Sequence, residues 1–425
     1  MGKLELASRS RAGTSAAAPG ALLLIIQLLG LLSQTPMLQA QTYTVLHTFT
    51  GNGNSPYVGV TLDQKDNLFG TTGFGGSLNK GTIYEIDAHG KKTILHSFWG
   101  GDGLVPSGTL IQDNAGDRYG VTQEGGAPEG GKCLHGCGAV YELYPTGKET
   151  VLYVFSGKDG CVPSGSLVRD GAGNLYGTTP FGGDAEQDCQ VGNGDGVVFK
   201  LDKNGKETVL HTFTGPPDGR IPSGGLVRDR SGNLYGVSYG GTASDAGIVF
   251  KVSPAGHETV LYTFAGGIDG AKPDGPLLRD AAGNLYGVAA IGGDTPYCNG
   301  YGCGVVFRLD PAGKESVLYT FQGSPDGSYP HGGLVRDEAG NFYGITTTGG
   351  SGNCPEDSDG CGTVFKLDAK GNETVLYNFA SGNDGNSPWA GLAIDKSGNL
   401  YGTTAYGGDS SCDTYGCGVV FKLTP

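Results

Sequence analysis

A tetrapeptide, Asn-Leu-Tyr-Gly or a near variant, recurs seven times, its final glycine falling at Gly70, Gly120, Gly177, Gly236, Gly287, Gly344 and Gly402. Successive copies are 50, 57, 59, 51, 57 and 58 residues apart. A period of that length marks one supersecondary unit copied in tandem, each copy burying its apolar face against the next. Gly makes up 81 of 425 residues, well above the usual ~7%. No Gly-X-Y triplet runs through the chain. Tyr, Phe, Val and Leu recur at fixed places in each copy, so the excess is neither collagen-like nor a disordered linker.

The fourth copy shows the unit. Gly225–Asp229 is short and apolar, Arg230–Asn233 is a turn, and Leu234–Ser238 is a second strand. A Gly240-Gly241 loop leads to a third strand at Ile248–Val252, and Ser253–Gly256 turns the chain into a fourth, Glu258–Phe264. Period-2 alternation puts Val260, Tyr262 and Phe264 on one face and Leu261 on the other. Four strands in a meander, repeated, predict an all-β fold, a β-propeller with four antiparallel strands per blade. The segment Thr44–Phe49 matches a fourth strand with no first three before it, and Val419–Leu423 matches a third strand with no fourth after it. The two segments are expected to complete one blade together, giving seven blades closed by the N-terminal strand.

Residues 1–40 are expected to be a signal peptide and 41–425 the propeller. Lys3, Arg9 and Arg11 precede an apolar run, Ala21–Leu32, and Ala40 offers a small residue before a cut. The run of 12 residues falls short of the ~20 that span a bilayer. A secreted, periplasmic or cell-surface location follows. The formal charge is -14; taking away residues 1–40 leaves 25 basic against 41 acidic side chains, or -16. Such a surface repels phosphate backbones and disfavours nucleic acid. It favours cations, calcium among them. No later segment is apolar enough to cross a membrane, and a monomer is expected.

The ten Cys suit an oxidising compartment. Cys133 and Cys137, Cys298 and Cys303, Cys354 and Cys361, and Cys412 and Cys417 lie close in sequence, leaving Cys161 with Cys189. Five loop staples are expected. All lie in connections after the second or fourth strand of a copy, which project from one end of the ring, here called the upper face. The turns after the first and third strands, at the other end, are short and uniform.

Candidate binding residues sit among the variable upper loops. Phe74, Phe181, Tyr239 and Tyr406 precede Gly-Gly pairs, Trp99 precedes Gly100-Gly101, and Trp389 follows Pro388 near the axis, where most other copies carry a smaller residue. Such rings stack on sugars, or pack between adjacent loops. Asp357 and Asp359 resemble part of a calcium loop but lack its closing Glu. The Asp-Gly-x-x-Pro connections beginning at Asp102, Asp159, Asp218, Asp269, Asp326 and Asp384, with Asn52 as the seventh, are expected to be turn chemistry, because every blade uses them alike. Gly236-Val-Ser-Tyr-Gly240 matches a serine-hydrolase elbow but lacks the helix that motif requires. His47, His96 and His211 occupy the repeat's Tyr position and are expected to be structural.

The elements Gly-Asn-Leu-Tyr-Gly-Thr-Thr (173–179), Gly-Thr-Val-Phe-Lys-Leu (362–367) and Glu-Thr-Val-Leu-Tyr-Thr-Phe (258–264) resemble the bacterial GloVer tandem-repeat proteins. The likeness covers residues 43–425, with a departure at Asp117-Arg-Tyr-Gly120 and no C-terminal anchor segment after Pro425. It implies an exported protein and brings no established activity or catalytic residue. The first two strands look more distantly like NHL-type propellers, which are usually binding modules. A glycan- or protein-binding module using the upper face is the expected function. The alternatives are a polysaccharide lyase or hydrolase with an axial site, or a structural envelope protein.

Overall fold

The computed structural model describes residues 41–51, 56–126, 135–183, 194–293, 297–352, 354, 359–412 and 415–425. These residues form seven four-stranded antiparallel sheets. Blades 1 to 6 are β2–β5 (Thr61–Ser97), β6–β9 (Leu104–Val154), β10–β13 (Ser164–Thr212), β14–β17 (Arg220–Thr263), β18–β21 (Ala271–Thr320) and β22–β25 (Ser328–Asn378). Blade 7 joins β26 (Ala393–Ile394), β27 (Leu400–Thr404) and β28 (Val419–Thr424) to β1 (Thr42–Thr48). The β1–β28 register runs from Thr42 opposite Thr424 to Thr48 opposite Val419, so the expected closure is present.

The recurring glycine has a spatial cause. A Cβ on Gly177, Gly236, Gly287, Gly344 or Gly402 would lie 2.5–2.7 Å from the ring of Phe199, Phe250, Phe307, Phe365 or Phe421 on the adjacent strand. At Gly70 and Gly120 it would strike the Tyr84 or Tyr141 ring. The bare backbone makes room for that ring, which in turn meets the last Phe of the preceding blade. Seven edge-to-face pairs result, from Phe49–Tyr84 at 5.3 Å through Phe155–Phe199 at 5.0 Å to Phe379–Phe421 at 5.4 Å. Each is worth about 0.5–1.5 kcal/mol beyond its buried area. The ring of pairs passes through blade 7 without a gap.

Two expectations need correction. The fourth strand carries a β-bulge, as between the Val249 and Phe250 pairings of blade 4. The extra residue breaks the alternation. Val260 therefore packs with Phe250 and Leu234, whereas Leu261, Tyr262 and Phe264 pack together against Val249 and Phe307 of the next seam. The innermost strand also starts earlier than expected. β14 begins at Arg220 rather than Gly225, because the residue before the Pro turns its N–H to the preceding blade, Ile221 donating to Asp195 O at 2.9 Å.

Disulfides join Cys298 to Cys303, Cys354 to Cys361 and Cys412 to Cys417, each with a Cα separation of 5.3 Å. Cys137 and Cys161 are also disulfide-bonded. Their expected partners, Cys133 and Cys189, lie outside the described residues. Among the described residues, no helix is long and apolar enough to cross a membrane.

Candidate functional site

The Asp-Gly-x-x-Pro carboxylates prove to be turn groups. One oxygen of Asp102 accepts the backbone N–H groups of Trp99 and Gly100, and the other meets His96 Nε2 at 2.8 Å. Asp269 likewise holds Ala265 N–H and the Tyr262 hydroxyl. Each fixes a strand-four Tyr or His. At five seams a Glu from the next blade faces this pair, and burial pushes Glu149, Glu207, Glu258, Glu315 and Glu373 up to about 7. His96, Asp102 and Glu149 bring three ligand atoms within 4.8 Å, a spacing a metal ion can use. The other four seams repeat the arrangement with His or Tyr in the first place, so it reads as a blade-to-blade joint. At the two closing seams the Glu position holds Tyr43, stacked on Tyr377 at 3.9 Å, and Lys92, whose ammonium lies 4.2 Å over the Phe49 ring.

The residue directly after each Pro forms a second ring, at the upper mouth of the axis, and this one is not symmetric. Its members are Tyr57, Ser107, Ser164, Ser223, Asp274, His331 and Trp389. In the serine arc, Ser107 donates to Pro163 O at 3.0 Å and Ser223 to Pro273 O at 3.1 Å, tying one blade to the next. Across the ring, Asp274 Oδ2 and His331 Nδ1 are 2.9 Å apart. The His331 and Trp389 rings lie 5.1 Å apart, tilted by 40°. Tyr57 meets Tyr406 edge to face at 6.2 Å.

The next position explains the difference. In blades 2 to 6 it is Gly108, Gly165, Gly224, Gly275 or Gly332, with φ between +67° and +79°. A Cβ on Gly108, Gly165 or Gly224 would run into the backbone of the following blade's glycine. Blades 1 and 7 have Val58 and Ala390 there, neither with a positive φ. Their inner strands shrink to two residues, Thr61–Leu62 and Ala393–Ile394. The chain entering them leaves Tyr57 39% and Trp389 45% exposed.

A cavity of about 550 Å³ opens at this mouth, walled by Trp389, Tyr57, Tyr406, His331, Asp274 and the serines 107 and 164. Burial pushes the Asp274 carboxyl up, but the His331 hydrogen bond, with the N–H groups of Gly332 and Gly275, holds it below the usual carboxylate range. His331 Nε2 has no hydrogen-bond partner among the described residues. At the lower end, a cavity of about 430 Å³ is lined by Asp63, Asp113 and Asp395 among others. These carboxylates are spent on their own turns: Asp63 accepts N–H groups of Lys65 and Asn67, and Asp395 those of Ser397 and Asn399.

Of the aromatic candidates, Trp389 and Tyr406 reach the upper cavity. Trp99, Phe74 and Tyr239 are exposed elsewhere on the loops, Tyr239 lying under the Lys272 ammonium at 4.6 Å. Phe181 is half-buried against the seam of blades 2 and 3. Asp357 lies outside the described residues; the Asp359 carbonyl accepts Gly349 N–H. Ser238 is buried and donates to Gly240 O at 2.9 Å, so it is no nucleophile. The sequence reading missed Tyr57, Asp274 and His331. Their signal was the one variable position beside an unvarying Pro.

The family model of the Gloeobacter/Verrucomicrobia repeat matches residues 35–191, 129–356 and 298–425. The chain belongs to this repeat family. No curated protein matches the sequence of this Gloeobacter/Verrucomicrobia repeat protein. Solved structures similar to it include a gluconolactonase from Xanthomonas campestris, at 14% identity and a TM-score of 0.43 over 74% of this chain and 88% of that one. A protein described as a 6-phosphogluconolactonase, from Bacteroides uniformis, matches at 16% identity and 0.49 over 84% and 98%. The extracellular domain of a one-component system from B. thetaiotaomicron matches at 9% and 0.49 over 87% and 39%. No activity is carried over from these likenesses to the Gloeobacter/Verrucomicrobia repeat protein.

Proposed function

We propose that this protein is an exported binding module that holds a carbohydrate in the cavity at the upper mouth of its axis. One observation carries the reading: the ring of post-proline residues abandons its serines for exposed Trp389 and Tyr57 beside the Asp274–His331 pair. A sugar presents a C–H face that stacks on aromatic rings and hydroxyls that need polar partners, and this wall offers both. A volume of about 550 Å³ lies within the ~300–1,000 Å³ of small-ligand sites. Export is supported by the charged and apolar segments before Gln41 and by the disulfide-stapled upper loops.

The test is a glycan array probed with the full-length protein and with Trp389→Ala. A central aromatic anchor is worth about 2 kcal/mol or more, so affinity for any retained glycan should fall at least about 30-fold. Unchanged glycan binding by that variant overturns the site. A silent array together with capture of an extracellular protein that depends on Trp389 turns the reading from glycan to protein ligand.

A further inference from the structure

The Lys272 ammonium beside Tyr239 is already paired with Asp245, and the acidic seams and the lower cavity each repeat a turn or joint. The Asp274–His331 pair does not. At the same ring position blades 2 to 4 carry Ser107, Ser164 and Ser223, so no repeat constraint demands an Asp or a His. His331 is 17% and Asp274 22% exposed in their side chains. Both line the upper cavity. An imidazole whose Nδ1 is held by a carboxylate has its ring orientation and tautomer fixed, with the proton on Nδ1 and the lone pair on Nε2. That is the arrangement of a general base.

The chemistry around it limits the reaction. Cleavage of a glycosidic bond by paired carboxyls needs two of them flanking the bond. Among the described residues lining the cavity Asp274 is the one carboxylate, and it is committed to His331. Elimination at a uronate needs a cation against the substrate carboxylate as negative charge develops. Among the described residues, no Lys or Arg lines the cavity. Hydrolysis of a neutral ester needs neither.

We propose that the axial cavity hydrolyses an acyl ester carried on a carbohydrate, with His331 as the general base and Asp274 as its positioning residue. The proposal rests on the carbohydrate-binding reading of the same cavity. His331 Nε2 takes a proton from water as the water oxygen bonds to the ester carbonyl carbon. The tetrahedral adduct then breaks its bond to the sugar oxygen, which receives that proton from the imidazolium. One water is consumed, and one acid and one sugar hydroxyl are released. Ser164 lines the cavity with a hydroxyl that makes no hydrogen bond among the described residues, available to donate to the carbonyl oxygen. Trp389 and Tyr57 hold the sugar.

The experiment incubates the full-length protein with O-acetylated xylan, mannan and chitin oligosaccharides. It measures released acetate and, separately, quenching of tryptophan fluorescence. Acetate release is expected. His331→Ala should lower kcat by about 10²–10⁴-fold with KM little changed; His331→Gln, closer in size, guards against a folding defect. Asp274→Asn should lower kcat at least about 10-fold and leave KM near wild type, a split that a purely structural role would not produce. Acetate release unaffected by either His331 variant overturns the proposal. Quenching by acetylated sugars without acetate release also overturns it, and leaves the binding reading standing. Neither quenching nor release with any of the three oligosaccharides, acetylated or deacetylated, overturns both.

Discussion

Blades 2 to 4 and blades 7 and 1 are built from the same repeat, yet they have diverged at the same places. The first group keeps serine after the proline, a positive-φ glycine next to it and a Glu at the seam. The second carries Trp389 and Tyr57, Ala390 and Val58, and Tyr43 and Lys92 in those positions. The aromatic packing layer is indifferent to this, since the Phe49–Tyr84 and Phe379–Phe421 pairs match the internal ones. A repeat holds a residue where a neighbouring blade needs it for packing and releases it where the neighbour does not. The released positions are concentrated around the joint between the chain's ends, and the cavity lies there.

Changes that exchange the two arcs test this contrast. Replacing Trp389 and Tyr57 together by Ser should remove ligand binding, by at least about 30-fold on the array, while circular dichroism and the melting profile stay close to wild type. An accompanying collapse of the fold would tie the closing arc to packing after all. Next in size, Gly177→Ala and Gly402→Ala, one in each group, should cost a similar amount, about 1–3 kcal/mol by denaturant unfolding. Each forces the aromatic ring beside it, Phe199 or Phe421, to move. A much milder loss at Gly402 would mean that blade 7 packs more loosely than its geometry indicates. Ser107→Ala and Ser223→Ala each lose one hydrogen bond to a neighbouring proline carbonyl. About 1 kcal/mol of stability should go with each, and at Ser223, which does not line the upper cavity, glycan affinity should not move.

A further contrast concerns pH. The carboxyls of Glu149, Glu207, Glu258, Glu315 and Glu373 are raised from 4.5 to about 7, chiefly by burial. Between those values the folded chain keeps protons that the unfolded chain has released, so stability falls as pH rises from about 4.5 to 7. His47 opposes this. Burial, with Lys92 nearby, lowers it to about 4, so its share of stability is lost as pH falls from 6.5 toward 4. Lys92, lowered to about 8 by burial, adds to that opposition as pH nears 8; five groups against these two give a melting temperature expected to be higher at pH 5.5 than at pH 8. Glu→Gln at all five seams should flatten that slope, and a slope that survives would place its source elsewhere.

The architecture was legible because it rests on repetition. Period, strand order, ring closure and the local Cys298–Cys303, Cys354–Cys361 and Cys412–Cys417 pairs all follow from residues near one another or at fixed intervals. The bulge beside Leu261 was not legible, because a strand that admits an extra residue keeps its composition and changes only which face each side chain takes. Nor was the cavity. Asp274, His331, Trp389 and Tyr57 come from four blades, and only closure of the ring brings Tyr57 beside the others. Attention to the recurring Asp-Gly-x-x-Pro carboxylates pointed away from the informative position, the varying one after the Pro.

Pairing of β1 with β28 has a temporal consequence. β1 must wait for the other described strands before it meets β28, and closing so large a loop is entropically slow. Until then β28 and the early strand each show an unpaired edge that another chain can capture. Maturation of this protein thus has a vulnerable interval set by its own topology, and the pairing of β1 with β28 ends it.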